Sequence, residues 1–396
     1  MLEVVKVEPP KPEPVKEAPP LFRIYGMIKP TIIGAGSAVE SYSQQNATAV
    51  TAAANPVLAS SPDSGRLTFQ VGQSRLGFHV GEGTPYHAHI EMDFLDFTKS
   101  SPTVASVPRL RIAKLDWKPV DNVTVTAGQD WELAQPVNPH GMNYVGALFL
   151  AGNSAFMRQE VKVLYGVGNG EFGISAGLRN NTNGAVDTAV ETSLTPTLSF
   201  RAQYGFGKNG KIGVSGIGTA ILYKGVGGVA DTRSFAGLGG VYADVTLSGI
   251  NLRAEGYAGR NAASMYMLTL GTGRVGTGNI PIDMYELGGF LSVRVPVDIV
   301  GIYGMFGGAS ILNDADVVPS YSYAANSTTA ALGTTGSGIK WNMMGRLGVD
   351  VKIWKSLSFL FEGFWVRTKH SLQAVDSSKV SVSQAFGFET GFLLAF

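Results

Sequence analysis

Polar and apolar residues alternate along most of this chain with a period of two. In 339–353, IKWNMMGRLGVDVKI, Lys340, Asn342, Met344, Arg346, Asp350 and Lys352 fall on one parity, and Trp341, Met343, Leu347, Val349, Val351 and Ile353 on the other. Side chains alternate across a strand, so such a segment has one wet face and one greasy face. The same rule puts Arg158, Glu160 and Lys162 on one face of 156–166, Arg201 and Gln203 on one face of 195–207, and Arg253 and Glu255 on one face of 250–260. Almost nothing after Leu21 has a helical period. The pattern predicts sixteen strands, at 22–33, 65–81, 85–98, 107–118, 120–131, 156–166, 170–181, 195–207, 210–224, 233–248, 250–260, 283–295, 298–311, 339–353, 356–370 and 380–396. Within 65–81 the polar parity switches near Gly72, from Arg66, Thr68 and Gln70 to Gln73, Arg75 and His79, which predicts a β-bulge there.

The connections alternate between long (34–64, 99–106, 132–155, 182–194, 225–232, 261–282, 312–338, 371–379) and tight, around Gly83, Pro119, Asn169, Asn209, Gly249, Pro296 and Lys355. Short turns at one end and long loops at the other are the pattern of a meander closed as a barrel through a membrane. Closure leaves no sheet edge to be satisfied in lipid, and an even strand number puts both termini at the short-turn end. The expected fold is therefore all-β, a 16-stranded antiparallel transmembrane β-barrel over 21–396. Its polar face would line a water-filled lumen, and its apolar face would meet lipid or a neighbouring subunit. Sixteen strands leave a channel too wide for side chains to plug.

Composition agrees with this picture. The chain has 51 Gly and only 15% charged residues, and a mean hydropathy of +0.12, an odd balance for a soluble protein of this size. No run reaches the roughly 18 apolar residues of a membrane helix. A net charge of +1 argues against nucleic-acid affinity. The absence of cysteine removes disulfides and thiolate zinc sites, and suits passage through an oxidising periplasm. Residues 1–20, with VEPPKPEPVKEAPP, cannot pack a core and are expected to be an extended periplasmic spacer. No leader peptide precedes them, and the reading is that one was removed and Met1 added to a mature chain.

Strand parity directs Arg75, Glu91, Asp93, Arg109, Arg111, Arg158, Arg201, Arg346 and Glu389 into the lumen as pore-lining residues. At mid-height Arg75, Arg111, Arg201 and Arg346 oppose only Glu91 and Glu389, and rings of Arg favour anions. The bland alternative pairs each Arg with an acid on an adjacent strand, as Arg75 and Arg111 could with Glu91. Loop 132–155 follows the fifth strand and has acids only at its entrance, Asp130 and Glu132. It is read as a constriction loop folded into the lumen, the alternative being an outer loop packed on a neighbour. His87, His89, Glu91 and Asp93 share one face of one strand and could offer two imidazoles to a metal. A site needs ligands from neighbouring strands too, so the expectation is lumen lining and no metal. His79, His140 and His370 show no motif with a serine partner. GKNGKIGVSGIG lacks a strand-to-helix context for phosphate, so no cofactor is expected.

The last segment, VSVSQAFGFETGFLLAF, carries Phe392, Leu394 and Phe396 on its outward face. It resembles the C-terminal signature of bacterial outer-membrane barrels, which implies recognition by the barrel-assembly machinery. Five segments, GQSRLGF (72–78), IEMDFLDF (90–97), RLRIAKLDW (109–117), TAGQDWELAQP (126–136) and FMRQEVKVLY (156–165), resemble successive strands of the DcaP-like trimeric porins, within the general porin superfamily. That resemblance implies a homotrimer in the outer-membrane lipid of a Gram-negative bacterium and a diffusion channel for small anionic solutes. A barrel enzyme or adhesin with a filled lumen is the alternative. Polar residues on nearly every strand speak against it, since a filled interior shows layered bulky groups.

Overall fold

The computed structural model describes residues 21–36, 65–95, 108–143, 147–153, 157–178, 195–225, 227–262, 274–275, 280–313, 321–323, 330–332, 339–370 and 382–396. The Pro-rich segment 1–20 and parts of every long loop fall outside them.

One antiparallel sheet closes on itself through sixteen strands. These are β1 (Phe22–Ile28 continuing as Thr31–Ala35), β2 (Arg66–Gln70 continuing as Arg75–Val80), β3 (Tyr86–Asp93), β4 (Arg109–Val120), β5 (Val123–Trp131), β6 (Met157–Val167), β7 (Gly170–Gly177) and β8 (Thr197–Gly205). The second half comprises β9 (Gly210–Tyr223), β10 (Thr232–Leu247), β11 (Ile250–Arg260), β12 (Tyr285–Val297), β13 (Val300–Ile311), β14 (Ile339–Lys352), β15 (Leu357–His370) and β16 (Val382–Ala395). Each strand pairs with its sequence neighbour, and β1 pairs with β16, Met27 opposite Ala395 and Thr31 opposite Gly391. Two small hairpins, Arg274–Val275 with Pro281–Ile282 and Tyr321–Tyr323 with Ala330–Leu332, lie in long loops.

The bulge expected near Gly72 is present. Met27 faces Arg75 and Thr31 faces Gln70, so three residues of β1 oppose four of β2. A second bulge is encoded in the same way: β4 carries Arg109 and Arg111 at odd positions, then Lys114 and Asp116 at even ones. The β3–β4 register slips there, between Glu91 and Met92, and lets Arg111 and Ile112 both face inward. Two turns fall later than their prolines suggested. β4 runs through Pro119 and turns at Asp121–Asn122, and β12 runs through Pro296 and turns at Asp298–Ile299. Proline cannot donate to the ladder, so at Pro119 it occupies an irregularity while pairing resumes between Val120 and Val123. The β10–β11 turn has positive φ at both Ser248 and Gly249, the backbone of a tight type I′ hairpin.

Burial inverts that of a soluble protein. Outward residues are apolar and exposed, including Leu67, Phe69, Val161, Ile174, Val241 and Leu347, while charged residues are buried inside. Toward the short-turn end the outer face carries Tyr86, Trp117, Tyr165, Phe172, Tyr204 and Trp354, a girdle of the kind that sits at a membrane interface. The apolar core lies within the barrel, where loop residues Val137, Ala147, Leu148 and Ala151 pack on Phe290, Tyr303, Met305, Met344 and Phe364.

Candidate functional site

The inner wall is built from alternate residues of successive strands, so ladders of charge run around the barrel. On β3 and β4, Arg111 reaches Glu91 (2.7 Å) and Asp93 (3.0 Å), and Arg109 clamps Asp93 at 2.6 Å. Tyr25 of β1 donates to the other Glu91 oxygen at 2.9 Å, and the Arg111 guanidinium lies 5.4 Å from the Trp131 ring centre. Arg75, from β2, acts electrostatically on the same Glu91. Three arginines thus face two carboxylates. Further round, Lys114 holds Asp130 (3.1 Å) and Asp116 (3.3 Å), and Lys162 holds Asp130 (2.8 Å) and Glu160 (3.2 Å). Arg158 pairs with Glu132 at 2.7 Å and Arg201 with Glu171 at 2.7 Å. Burial pushes the Glu132 carboxyl above the usual carboxylate range, against the pull of Arg158.

The described parts of the segment after β5 cross the interior. His140 donates its backbone N–H to Ser292 Oγ (2.9 Å), its Nδ1 lies 2.8 Å from the same oxygen, and its Nε2 lies 2.6 Å from Asn251 Oδ1. The Met142 N–H donates to Glu362 (3.1 Å), while the Met142 carbonyl accepts from Lys29. Asn342 donates to the Leu150 carbonyl at 3.1 Å, and Arg253 to the Asn138 carbonyl at 3.1 Å. Gly152, at φ +91°, lies against the backbones of β12 and β13, where a Cβ would come within 2.7 Å of the Gly308 carbonyl. Burial, aided by nearby Arg253, pushes the His140 imidazole down to about 4.

Between loop residues 138–143 and the wall lies a cavity of about 510 Å³. Arg75, Arg111, Arg253 and Arg294 line it against the carboxylates Glu91 and Asp350. Arg294 pairs with Asp350 at 2.8 Å, and Arg253 meets Asp244, outside the cavity lining, at 3.3 Å.

Of the nine residues expected to line the pore, Arg75, Glu91 and Arg111 reach this cavity. Arg346 is buried against Glu362, and Glu389 is buried against Lys29 (3.3 Å), both near the docked Met142. Strand parity alone could have flagged Glu362 as inward. Lys29 sits beside Pro30 at the break in β1, 360 residues from Glu389, where no local pattern points. Arg253 shares the parity of buried Glu255, and Arg294 that of buried Ser292. Their exposure to the cavity follows from where the loop lands. Phe392, Leu394 and Phe396 face outward, and Phe396 exchanges two backbone hydrogen bonds of 3.0 Å with Gly26 across the closing seam.

His140 does find a serine, Ser292, contrary to the expectation from sequence. The geometry is that of a loop anchor rather than a nucleophile, because Ser292 is fully buried and the second imidazole nitrogen faces an amide. Among the described residues no group of three or more His, Asp or Glu is arranged around a common metal position.

No protein-family model matches this chain, and no curated protein is similar to it in sequence. Solved structures are. The outer membrane channel DcaP of Acinetobacter baumannii matches with a TM-score of 0.69 at 13% identity, covering 95% of this chain and 97% of that one. An anion-selective porin from Comamonas acidovorans matches at 0.57 and 11%, covering 95% and 99%. OmpT, an outer membrane protein of Vibrio cholerae in its trimer form, matches at 0.52 and 13%, covering 95% and 99%. Identities this low carry the architecture and not the chemistry, and the architecture is that of the outer-membrane porins.

Proposed function

We propose that the chain is a porin of the bacterial outer membrane, a water-filled diffusion channel for small hydrophilic solutes that prefers anions. The apolar outer band with its aromatic girdle suits lipid, and the charged inner wall suits water. The observation that carries the anion preference is the cavity beside the loop, where four guanidiniums face two carboxylates. Arginines at close quarters attract anions and repel cations, and low-dielectric walls strengthen the effect. The loop from 132 acts as a constriction, its buried anchors on β11 to β15 and on Lys29 holding it across the interior. A homotrimer is proposed from the porin architecture, and the outward Phe392, Leu394 and Phe396 are proposed as the signal read by the assembly machinery.

Planar-bilayer recording tests the channel directly. Discrete steps of ionic current from the purified barrel are expected. A membrane that stays closed would favour a barrel with a filled lumen.

A further inference from the structure

A groove of about 540 Å³ lies on the outer wall over β8 to β12. One cross-strand row there reads Leu198, Gly218, Gly237, Arg260 and Tyr285, and the row below it Phe200, Gly216, Gly239, Ala258 and Leu287. Phe200 and Phe235 lean over Gly216 and Gly218, and with Leu198 and Tyr285 they form exposed apolar walls. Lipid contact explains the walls but not Arg260, which also lines the groove. Among the described residues of β8 to β12, Arg233 and Arg260 are the only charges of outward parity, and both are basic. Arg260 ends β11, eleven residues long and entered from the tight Ser248–Gly249 turn. About 34 Å of strand at a tilt of about 40° lifts it about 26 Å, to the upper edge of an apolar band about 25 Å tall. Arg233 stands beyond Gly237, the partner of Arg260, about 14 Å further toward the long loops. Arg260 gives one nitrogen to Asp283 at 2.5 Å, while its buried Nε has no partner among the described residues. Lys224, just past β9, is held by Asp231 at 3.0 Å. Arg233 is exposed and pairs with nothing among the described residues, so three cations face two acids.

We propose that this groove binds one phosphorylated, multiply acylated lipid of the outer leaflet, with acyl chain in the groove and phosphate on Arg233 and Arg260. The site rests on the outer-membrane placement proposed above and not on conduction. A single outward arginine is ordinarily an anchor whose stem lies on apolar surface while its head reaches water. That role leaves the groove unfilled, and an unfilled groove forfeits the contacts of its walls. An acyl chain restores them. Guanidiniums at the height of the headgroups match phosphate through paired N–H donors, and the surplus positive charge selects an anionic lipid over a zwitterionic one. A second copy of the chain is the other candidate occupant. It would bury Arg233 without a carboxylate, which is strongly unfavourable.

The test uses the folded full-length barrel in detergent, titrated with diphosphorylated lipid A or with the same lipid dephosphorylated, and read by native mass spectrometry. One diphosphorylated lipid per chain is expected, held more tightly than the dephosphorylated form. Arg233→Gln should weaken its binding about fivefold, and Arg233→Gln with Arg260→Gln about 25-fold. Gly239→Leu should weaken both lipids, because a Cβ there meets nothing nearer than 3.8 Å and the side chain enters the groove without strain. Heat-modifiable gel mobility checks that each variant is folded. Arg233→Gln and Gly239→Leu suffice if Arg260→Gln, which strips Asp283 of its partner, does not fold. Equal binding of the two lipids, or binding unmoved by Arg233→Gln and Gly239→Leu, overturns the proposal. So does an oligomer that falls apart in Gly239→Leu, which would make the groove a contact between subunits. The readout does not depend on conduction, so a silent bilayer would count against the porin and leave this site standing, and a conducting barrel that holds no lipid would do the reverse.

Discussion

Replacing Gly152 with alanine should loosen the loop from the wall. Gly152 has φ +91°, where an L side chain is strained, and its missing Cβ is what lets the loop backbone meet β12 and β13. An added methyl would lie 2.7 Å from the Gly308 carbonyl and closer still to that of Gly289, against 3.4 Å for ordinary contact. Both obstacles are backbone in a closed sheet, so the loop must yield by about 0.7 Å or more. The strained φ costs roughly 1–3 kcal/mol, and the overpacking about 1–3 kcal/mol more. Together these oppose the hydrogen bond from Asn342 to Leu150 and the packing of Leu148 and Ala151. Single-channel recording of Gly152→Ala should show larger, noisier steps than the parent, with heat modification at a lower temperature. Steps and transition temperature both equal to the parent's would refute the reasoning that this contact seats the loop.

Glu362→Gln should cost about 3–5 kcal/mol, because it leaves Arg346 buried without its carboxylate and weakens the anchor of Met142; a lower heat-modification temperature measures it. Deleting Phe396 removes both hydrogen bonds to Gly26 and the ring packed over it, so folded protein in whole envelopes should fall sharply by heat-modifiable mobility. His140 is held down to about 4 by burial, with Arg253 and Arg294 disfavouring its charge and Asp244 and Asn251 favouring it. Between pH of about 6.5 and 4 the unfolded chain, or a released loop, binds a proton that the docked imidazole does not. Docking should therefore weaken as pH falls through that window, and current noise should rise more steeply in the parent than in His140→Gln.

Much of the architecture was legible because the strand period is local. Parity alone placed Arg75, Glu91, Asp93, Arg109 and Arg111 on one inner wall, and the switch from Gln70 to Gln73 located the first bulge. The second, at Arg111 and Ile112, is written the same way in RLRIAKLD, where the polar parity changes between Arg111 and Lys114. The turn at Asp121–Asn122 was misplaced onto Pro119 because proline marks an interruption of pairing, which need not be a reversal of the chain. What could not be read locally is who meets whom across the barrel. Arg346 and Glu389 counted as lumen charges until Glu362 and Lys29 neutralised them beneath the loop. Arg253 and Arg294 gained their place at the cavity from a loop whose landing site is set by Ser292, Asn251 and Glu362, all more than a hundred residues away.

Reversal potential in a salt gradient tests the central claim most directly. Between 0.1 M and 0.01 M KCl the Debye length is about 10–30 Å, so wall charges are felt across the cavity. Arg111 is clamped between Glu91 and Asp93 and is a poor site for substitution, whereas Arg75→Gln with Arg253→Gln removes two lining charges and leaves that clamp intact. The parent channel should prefer chloride, and the double variant should shift toward potassium. A parent channel that prefers potassium would contradict the account.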